Sequence, residues 1–307
     1  MGFILSSSWN AFRHQKAKKM LLEIAGLGYK DLELSFNLTS SMVKEIREEV
    51  RKGEIKVSSL HNFCPTPDGV NRFEALPDYY SMASTDESER KLAVKFTKNS
   101  IDTAEELHAK ALVLHCGRVE MPNLTRELII LFQNKKKNLK RFSQIYEASK
   151  KERERLRSKF FENTLKSLDE LNSYTKNKGI LLGVETRCYY REIPILEEIG
   201  IILKKFKGSN IRYWHDTGHA QIMENLGFAR HKDFLRLYGK EMIGIHLHDI
   251  LGCRDHMAPS KGNFDFSILK PYLKKNTLKI LEVHHPATAD DLRESKEFLK
   301  KVLNEKA

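Results

Sequence analysis

The sequence has few cysteines and no long hydrophobic segment. Its 307 residues include four cysteines, at positions 64, 116, 188 and 253, and no two of them have the Cys-x-x-Cys spacing. This scarcity argues against a disulfide framework and against a zinc knuckle. No apolar run approaches the roughly 18 residues of a membrane span, and no secretory signal precedes the first apolar run. We therefore expect a cytoplasmic protein that does not interact with a membrane.

Acidic residues are the minority among the charges. The chain has 53 Lys and Arg against 41 Asp and Glu, which gives a net charge of +12 and a pI near 9.3. Such a surplus suits a nucleic-acid partner. Much of it, however, is lysine in helical segments of mixed charge such as residues 150–159, which is typical of a solvated surface. The apolar fraction of 40% with 31% charged residues is that of a soluble globular protein.

Eight short apolar runs alternate with helical patterns along the chain. The predicted strands are 2–6, 31–36, 55–60, 111–114, 180–184, 211–214, 242–247 and 278–283. The predicted helices are 11–25, 41–51, 87–108, 152–175, 194–206, 229–237, 266–274 and 290–303. Continuous apolar strands are typical of a sheet buried on both faces, and the long crossovers require parallel pairing. The pattern predicts an α/β fold, a single-domain (β/α)8 TIM barrel over residues 1–307.

The alternation is interrupted between residues 117 and 151. This stretch follows the fourth predicted strand and has no strand pattern of its own. It is also too short for a separate domain. We expect a helical insertion at the mouth of the barrel, where it could serve as a lid or as a contact between the subunits of a homo-oligomer.

Six successive predicted strands end in a residue that can bind a metal. These residues are His61, His115, Glu185, Asp216, His246 and Glu282. Taken singly, each is explained by a hydrogen-bonded loop histidine or an ion pair. In a barrel, however, the carboxyl ends of the strands meet at one mouth, where bare charges repel unless a cation neutralises them. The mixture of donors predicts one divalent metal, Mn, Co, Mg or Zn.

Two of these residues, Glu185 and Glu282, lie on strands that face each other across the predicted barrel. A hydroxy-carbonyl substrate bound between them could chelate the metal, which would acidify the carbon-bound proton next to the carbonyl. One glutamate could then remove the proton and the other return it. This arrangement predicts epimerisation or aldose–ketose isomerisation through an enediolate.

Three arginines and the four cysteines follow closely on the same strand ends. Arg118, Arg187 and Arg254 could bind a phosphate or an acidic sugar, or they could compensate the charge of the acidic site. The cysteines could be thiols near the site or small apolar residues that fill the space beneath it.

The order of short motifs resembles a known family. The motifs are His-Cys-Gly (115–117), Gly-Val-Glu-Thr-Arg (183–187), Trp-His-Asp-Thr-Gly-His (214–219), Ile-His-Leu-His-Asp (245–249), a segment with Pro-Ser-Lys-Gly (255–266) and Leu-Glu-Val (281–283). Together they resemble the xylose-isomerase-like barrel superfamily over nearly the whole chain. This superfamily includes the sugar-phosphate isomerases and epimerases and the endonuclease IV type of abasic-site nuclease.

The resemblance to the isomerase and epimerase branch implies a set of ligands. One divalent metal would be held by Glu185, Asp216, His246 and Glu282, with the two glutamates also exchanging the proton and His219 touching the substrate. To the substrate-binding set we assign His61, His115, Arg118, Arg187, His248, Arg254 and His256. The expected function is therefore a metal-dependent isomerase or epimerase of a sugar or sugar phosphate.

The resemblance to the nuclease branch implies an alternative with up to three zinc ions. His61, His115, His219 and His256 would be the additional ligands, and the substrate would be an abasic site in DNA. The chain departs from that branch at Arg254-Asp255-His256, where the nuclease has Asp-x-His. Residues 259–262 are closer to the Pro-Gly-x-Gly turn of the sugar branch, with Ser260 in place of its first glycine. A barrel that binds a metal or ligand without turnover is a third hypothesis.

Overall fold

Eight parallel strands of the chain close into a barrel. The structure is a computed structural model that describes residues 2–303. The barrel strands are β1 (Ile4–Ser6), β2 (Asp31–Leu34), β3 (Lys56–His61), β4 (Ala111–Leu114), β5 (Leu181–Glu185), β6 (Ile211–Asp216), β7 (Met242–Leu247) and β10 (Leu278–Leu281). They are hydrogen-bonded in the order β1-β10-β7-β6-β5-β4-β3-β2. The predicted TIM barrel is confirmed.

Helices surround the barrel. They are α1 (Ala17–Ala25), α2 (Ser40–Arg51), α3 (Glu87–Glu106), α4 (Leu124–Gln133), α5 (Lys140–Thr175), α6 (Leu196–Lys205), α7 (Thr217–Leu226), α8 (His231–Tyr238) and α9 (Ala289–Leu303). The predicted helix over 11–25 is divided into a 3-10 turn, Ala11–Arg13, and α1. The predicted helix over 266–274 is only a 3-10 turn, Phe266–Leu269, so that prediction is wrong.

The segment 117–151 contains α4 and the beginning of α5. We predicted that the long helix starts at residue 152, but it starts at Lys140 and runs for 36 residues. Residues 117–151 were predicted as a separate helical insertion, whereas their second half is continuous with the long helix: Phe142, Ile145 and Tyr146 have helical spacing and pack on the core. Inside this longer helix, Arg153 donates hydrogen bonds to the backbone carbonyls of Tyr190 and Glu192, in the loop that follows β5.

A β-hairpin that we did not predict stands over the mouth of the barrel. Its strands are β8 (Asp249–Leu251) and β9 (Arg254–Met257), which pair antiparallel. The Asp249 carboxylate accepts hydrogen bonds from the backbone N–H groups of Ser260, Gly262 and Phe264. These bonds tie the segment that follows the hairpin to its first residue.

A tryptophan fills the barrel beneath the site. Trp214 is fully buried, and the barrel tolerates it because glycines stand on both neighbouring strands. A Cβ atom at Gly244 would lie 2.2 Å from the Trp214 ring, and one at Gly183 would lie 2.8 Å from it. The indole contacts the His246 ring edge to face, with 5.2 Å between the ring centroids. It therefore forms an apolar floor under the polar side chains at the mouth.

Across residues 2–303, no helix has both the length and the apolar character needed to cross a membrane.

Candidate metal centre

Four side chains at the carboxyl ends of the strands converge on one point. Nδ1 of His246 lies 2.7 Å from Oε1 of Glu185, 3.0 Å from Oε2 of Glu282 and 3.5 Å from Oδ2 of Asp216. One ligand atom from each lies within 4.8 Å of the others. Three of the four are fully buried, and Glu282 is 4% exposed. These are the four residues that the sequence analysis proposed as ligands of one metal.

Asp216 has two roles that together fix its orientation. It pairs in register with His246 on the adjacent strand. It is also the N-cap of α7, because its Oδ1 accepts a hydrogen bond of 2.7 Å from the backbone N–H of His219. Capping is the reason that a helix begins at Thr217, where we predicted only a turn. The second oxygen, Oδ2, faces His246.

The three carboxyl groups are held in the ionised form. Burial by itself raises the pKa of Glu185, of Asp216 and of Glu282, but the surrounding imidazoles outweigh it and hold each pKa well below its usual value. Burial likewise lowers the pKa of His246, but the carboxylates around it raise that pKa well above its usual value. Without a metal, the proton on His246 is therefore what partly offsets the negative charge.

Glu33 supports His246 from behind, and the sequence analysis did not assign it to the site. Nε2 of His246 donates to Oε1 of Glu33 at 3.1 Å, and Oε2 of Glu33 accepts from the Ser59 hydroxyl at 2.8 Å. A carboxylate behind a metal-binding histidine fixes the ring and makes the other nitrogen a better ligand. The signal was available, because Glu33 is a charged residue between two leucines of the second strand.

Arg187 lies against His115, the histidine that follows the fourth strand. Its Nη1 contacts Oε2 of Glu185 at 2.8 Å and also contacts Nε2 of His115, and its Nη2 donates to Glu192 at 2.9 Å. Burial, with the help of the neighbouring guanidinium, lowers the pKa of His115 to about 4. Nε2 of His61 lies 3.8 Å from the same Glu185 oxygen. The guanidinium of Arg187 therefore already places a positive charge beside His115 and Glu185.

His248 is oriented toward the centre but has no free nitrogen. Its Nε2 donates to both oxygens of Asp216 at 3.0 Å, and its Nδ1 accepts from the backbone N–H of His256 at 2.9 Å. The residue therefore positions the Asp216 carboxylate and connects it to the hairpin.

His256 joins the hairpin to the centre. Its Nδ1 lies 3.3 Å from Asp255, and its Nε2 lies 3.6 Å from Oε2 of Glu282. The ring is stacked between those of His248 and His284, with centroids 4.2 and 3.9 Å away. Burial alone lowers its pKa, but the two carboxylates raise it well above the usual value.

The two other arginines of the sequence analysis are in different surroundings. Arg118 pairs with Asp78 at 2.8 Å and with Glu120 at 3.2 Å. Arg254 is exposed and lines a cavity of about 290 Å³, together with His256, Lys261, His284 and others. This cavity adjoins Glu282 through His256.

The donor set fits a divalent cation. The carboxylates of Glu33, Glu185, Asp216 and Glu282 surround the His246 imidazole in an almost fully buried space. Bare carboxylates at such a site repel each other unless a cation neutralises them. Carboxylate oxygen with imidazole nitrogen suits Mn²⁺, Co²⁺, Mg²⁺ or Zn²⁺.

Comparisons with known proteins agree with this architecture. The uncharacterized protein MJ1311 of Methanocaldococcus jannaschii is 24% identical over 290 residues, which cover 88% of this chain and 87% of that protein. A crystal structure of a D-tagatose 3-epimerase-like protein has 22% identity and a TM-score of 0.69, with 99% of this chain and 97% of that chain covered.

A second solved structure has nearly the same TM-score but a lower sequence identity. D-psicose 3-epimerase from Clostridium cellulolyticum H10, determined with D-tagatose, has 13% identity and a TM-score of 0.68, with 99% of each chain covered. At such identities the likeness shows the fold. The family model described as xylose isomerase-like TIM barrel matches residues 21–302. The chain therefore belongs to the xylose isomerase-like TIM barrel family.

Proposed function

We propose that the protein is a divalent-metal-dependent isomerase or epimerase of a sugar or sugar phosphate. The observation that carries this proposal is the pair of buried glutamates, Glu185 and Glu282, whose oxygens lie 2.7 and 3.0 Å from the same nitrogen of His246. Two carboxylates on opposite sides of one small volume are suited to removing a proton and returning it. The similar solved structures bear the names of ketose 3-epimerases, which agrees with this chemistry.

The metal would be held by Glu185, Asp216, His246 and Glu282, and when bound it would polarise the substrate carbonyl and acidify the neighbouring C–H. Glu282 is ionised at neutral pH, because its pKa is held well below the usual value by His246 and His256 against the effect of burial. We assign the proton removal on the cavity side to Glu282. Glu185, whose Oε1 lies 2.7 Å from the same nitrogen of His246, would return the proton.

The remaining residues hold the reacting groups in place. His256, on the hairpin, and His219, in the first turn of α7, lie beside the centre, where they can bind substrate hydroxyl groups. The exposed Arg254 lines the adjoining cavity of about 290 Å³, and its guanidinium can bind a phosphate or an acidic group. Arg118 and Arg187 contact carboxylates of the chain, which favours charge compensation over phosphate binding for these two arginines.

The nuclease alternative receives less support from the same contacts. It requires a further zinc at His61 and His115, but the Arg187 guanidinium contacts both His115 and Glu185. A positive side chain at that place opposes a second cation.

The test is a solvent-exchange assay on the metal-loaded protein. Ketoses, aldoses and their phosphates are incubated in D2O, and deuterium at the carbon next to the carbonyl is measured by NMR. We expect exchange with at least one substrate, and its loss after chelation. Metal-loaded protein that exchanges no proton of any of them, but cleaves a duplex with an abasic site, would reverse the assignment.

A further inference from the structure

A chain of hydrogen bonds runs behind the centre, from the end of β5 to the turn of the β8–β9 hairpin. None of its members is among the four ligands around His246, so the reaction proposed above does not use them. In spatial order the members are Thr186, Tyr213, His215, His231, Gln221, Asn225 and Gly252. The first four are almost completely buried. A polar network of this length inside a protein needs an explanation.

The half of the chain nearer the centre passes through β6 to α8. The hydroxyl oxygens of Thr186 and Tyr213 are 2.8 Å apart, and the Tyr213 hydroxyl lies 2.6 Å from Nδ1 of His215. The Nε2 atoms of His215 and His231 are 2.9 Å apart. Two side chains of one strand and one side chain of a helix are therefore in direct contact with the residue that follows Glu185.

The far end of the chain determines the direction of its hydrogen bonds. The Gly252 carbonyl can only accept, so Nδ2 of Asn225 donates to it at 2.6 Å. Oδ1 of Asn225 then accepts from Nε2 of Gln221 at 3.0 Å, which leaves Oε1 of Gln221 to accept from Nδ1 of His231 at 3.2 Å. His231 therefore carries a proton on Nδ1.

The same order continues through both histidines to Thr186. Burial lowers the pKa of His215 and of His231, so both rings are neutral. Nε2 of His231 then accepts from Nε2 of His215, and Nδ1 of His215 accepts from the Tyr213 hydroxyl. The one hydroxyl proton of Tyr213 is used in that bond. The Thr186 hydroxyl therefore donates to the Tyr213 oxygen at 2.8 Å, in preference to the Trp214 carbonyl at 3.4 Å.

Thr186 connects this chain to the centre. Its backbone N–H donates to the Trp214 carbonyl at 3.1 Å, and its own carbonyl accepts a hydrogen bond of 2.9 Å from Nδ1 of His219. Its hydroxyl, its N–H and its carbonyl are thus all in hydrogen bonds. Because Nδ1 of His219 is the donor, the lone pair of the neutral ring is on Nε2, which faces the hairpin residue Asp255 at 3.9 Å.

We propose that Tyr213, His215 and His231 are positioning residues for His219. Through the Thr186 hydroxyl they fix the carbonyl that holds His219 in its Nδ1–H tautomer, so that the Nε2 lone pair is presented to the substrate. Every bond of the chain joins neutral groups, which fixes the geometry without adding a charge beside the metal centre. The role toward the substrate rests on the proposed function, whereas the tautomer of His219 is measured without any substrate.

The test is NMR spectroscopy of the full-length protein with 15N-labelled histidines, loaded with Mg²⁺ alone. Long-range proton–nitrogen correlations show which ring nitrogen of each histidine carries the proton. Single histidine-to-glutamine variants assign the signals to their rings. In the unmodified protein we expect the proton of His215 on Nε2, and the protons of His231 and His219 on Nδ1.

Tyr213→Phe removes one hydroxyl group from the chain. We expect His219 to populate both tautomers in this variant, and solvent proton exchange of a substrate to become slower by about 10- to 100-fold, the size of effect that a small misplacement causes. Tyr238→Phe is the matched control. The Tyr238 ring lies 5.7 Å from that of Tyr213, and its hydroxyl donates to the Leu196 carbonyl at 2.7 Å, outside the chain. This control should keep the tautomer of His219 and the exchange rate.

A second pair of variants applies if Tyr213→Phe does not fold. Thr186→Val replaces the hydroxyl by a methyl group and breaks the chain, whereas Thr186→Ser keeps the hydroxyl. We expect mixed tautomers of His219 in Thr186→Val and the Nδ1–H form in Thr186→Ser.

Three results would overturn the proposal. One is a folded Tyr213→Phe or Thr186→Val variant in which His219 keeps the Nδ1–H form. Another is unmodified protein with the proton of His215 on Nδ1. The third is an equal disturbance of His219 by Tyr238→Phe, which would show a merely structural effect. Absence of proton exchange with every substrate would count against the proposed function, while the tautomers would still decide the role of the chain.

Discussion

Two buried clusters of charge in this molecule differ in how their charges are compensated. Between α5 and α6, the Arg153 guanidinium meets the Glu198 carboxylate in two hydrogen bonds of 2.8 Å, and both side chains are almost completely enclosed. The remaining donors of Arg153 bind backbone carbonyls. One positive and one negative group satisfy each other there, without a further ion.

The cluster at the barrel mouth is compensated in another way. Four carboxylates surround His246, and the carboxylates of the mouth raise the pKa values of His246 and His256, so that dissociable protons offset part of the negative charge. The nearest guanidinium, that of Arg187, is shared with Glu192. A metal cation can displace such imidazole protons and take over the compensation, whereas the guanidinium of Arg153 keeps its proton.

The largest expected effect is on proton transfer at the mouth. Glu282→Gln should lower the rate of solvent proton exchange by about 10²- to 10⁴-fold, because the amide cannot accept the proton. The rate is measured by NMR in D2O on a substrate found in the exchange screen. Glu162→Gln, an exposed glutamate on α5, is the control and should exchange at the original rate. Unchanged exchange in the Glu282 variant would refute the acid–base role.

Breaking the buried ion pair of Arg153 and Glu198 should lower the stability of the fold. Arg153→Met leaves the Glu198 carboxylate buried without its partner, which should lower the free energy of unfolding by about 3 to 5 kcal/mol. Urea denaturation measures this change. The double variant Arg153→Met, Glu198→Gln should recover part of the loss, because no unpaired charge is left inside.

A matched control for this prediction is the exposed pair on the same helix. Arg155 contacts Glu152 at 2.6 Å, but its side chain is 63% exposed. Arg155→Met should change stability little, since solvent screens such a pair. Equal destabilisation by the two arginine variants would contradict the distinction between buried and exposed pairs.

Glu33 should matter for metal affinity. Glu33→Gln keeps a hydrogen-bond acceptor behind His246 but removes the charge, and changes of this kind cost about 10- to 100-fold in metal affinity. Competition with a chromogenic chelator measures the affinity. Glu48→Gln, an exposed glutamate on α2, should bind as the unmodified protein does. If the Glu33 variant binds the metal with the same affinity as the unmodified protein, Glu33 does not support the metal site.

The smallest effect is a dependence of metal binding on pH. The pKa of His246 lies well above its usual value, because the carboxylates around it outweigh burial. A metal must therefore displace a proton from Nδ1 at neutral pH. Affinity should rise with pH by at most about tenfold per unit and level off once the pH passes the raised pKa.

Calorimetric titrations in two buffers of different ionisation enthalpy count the released protons. We expect about one proton per metal at the His246 centre. An affinity that is constant between pH 6 and 8 would show that His246 is not protonated in the metal-free protein.

Some predictions from the sequence failed where long-range contacts determine the structure. Residues 117–151 were predicted as helical but not as part of α5, and the whole of α7 was missed, because the Asp216 cap and tertiary packing stabilise it. Glu33 was not assigned to the site, because the strands that end in a candidate metal ligand begin only with the third strand, at His61. The β8–β9 hairpin was not predicted, although it carries Asp255 and His256 to the centre.

The sequence by itself determined the barrel and the group of four candidate metal ligands, Glu185, Asp216, His246 and Glu282. Eight buried strands must be apolar throughout, so the residues at their carboxyl ends stand out along the chain, and parallel pairing brings those ends to one mouth. Only the tertiary structure decided which way the side chains of the loops face. It directs Arg187 to His115 and Glu185, and it links the Thr186 side chain, through His215 and His231, to the hairpin turn. These contacts join segments far apart in the chain, and they depend on close approaches, such as that of the hairpin to Gly218, that local sequence patterns do not encode.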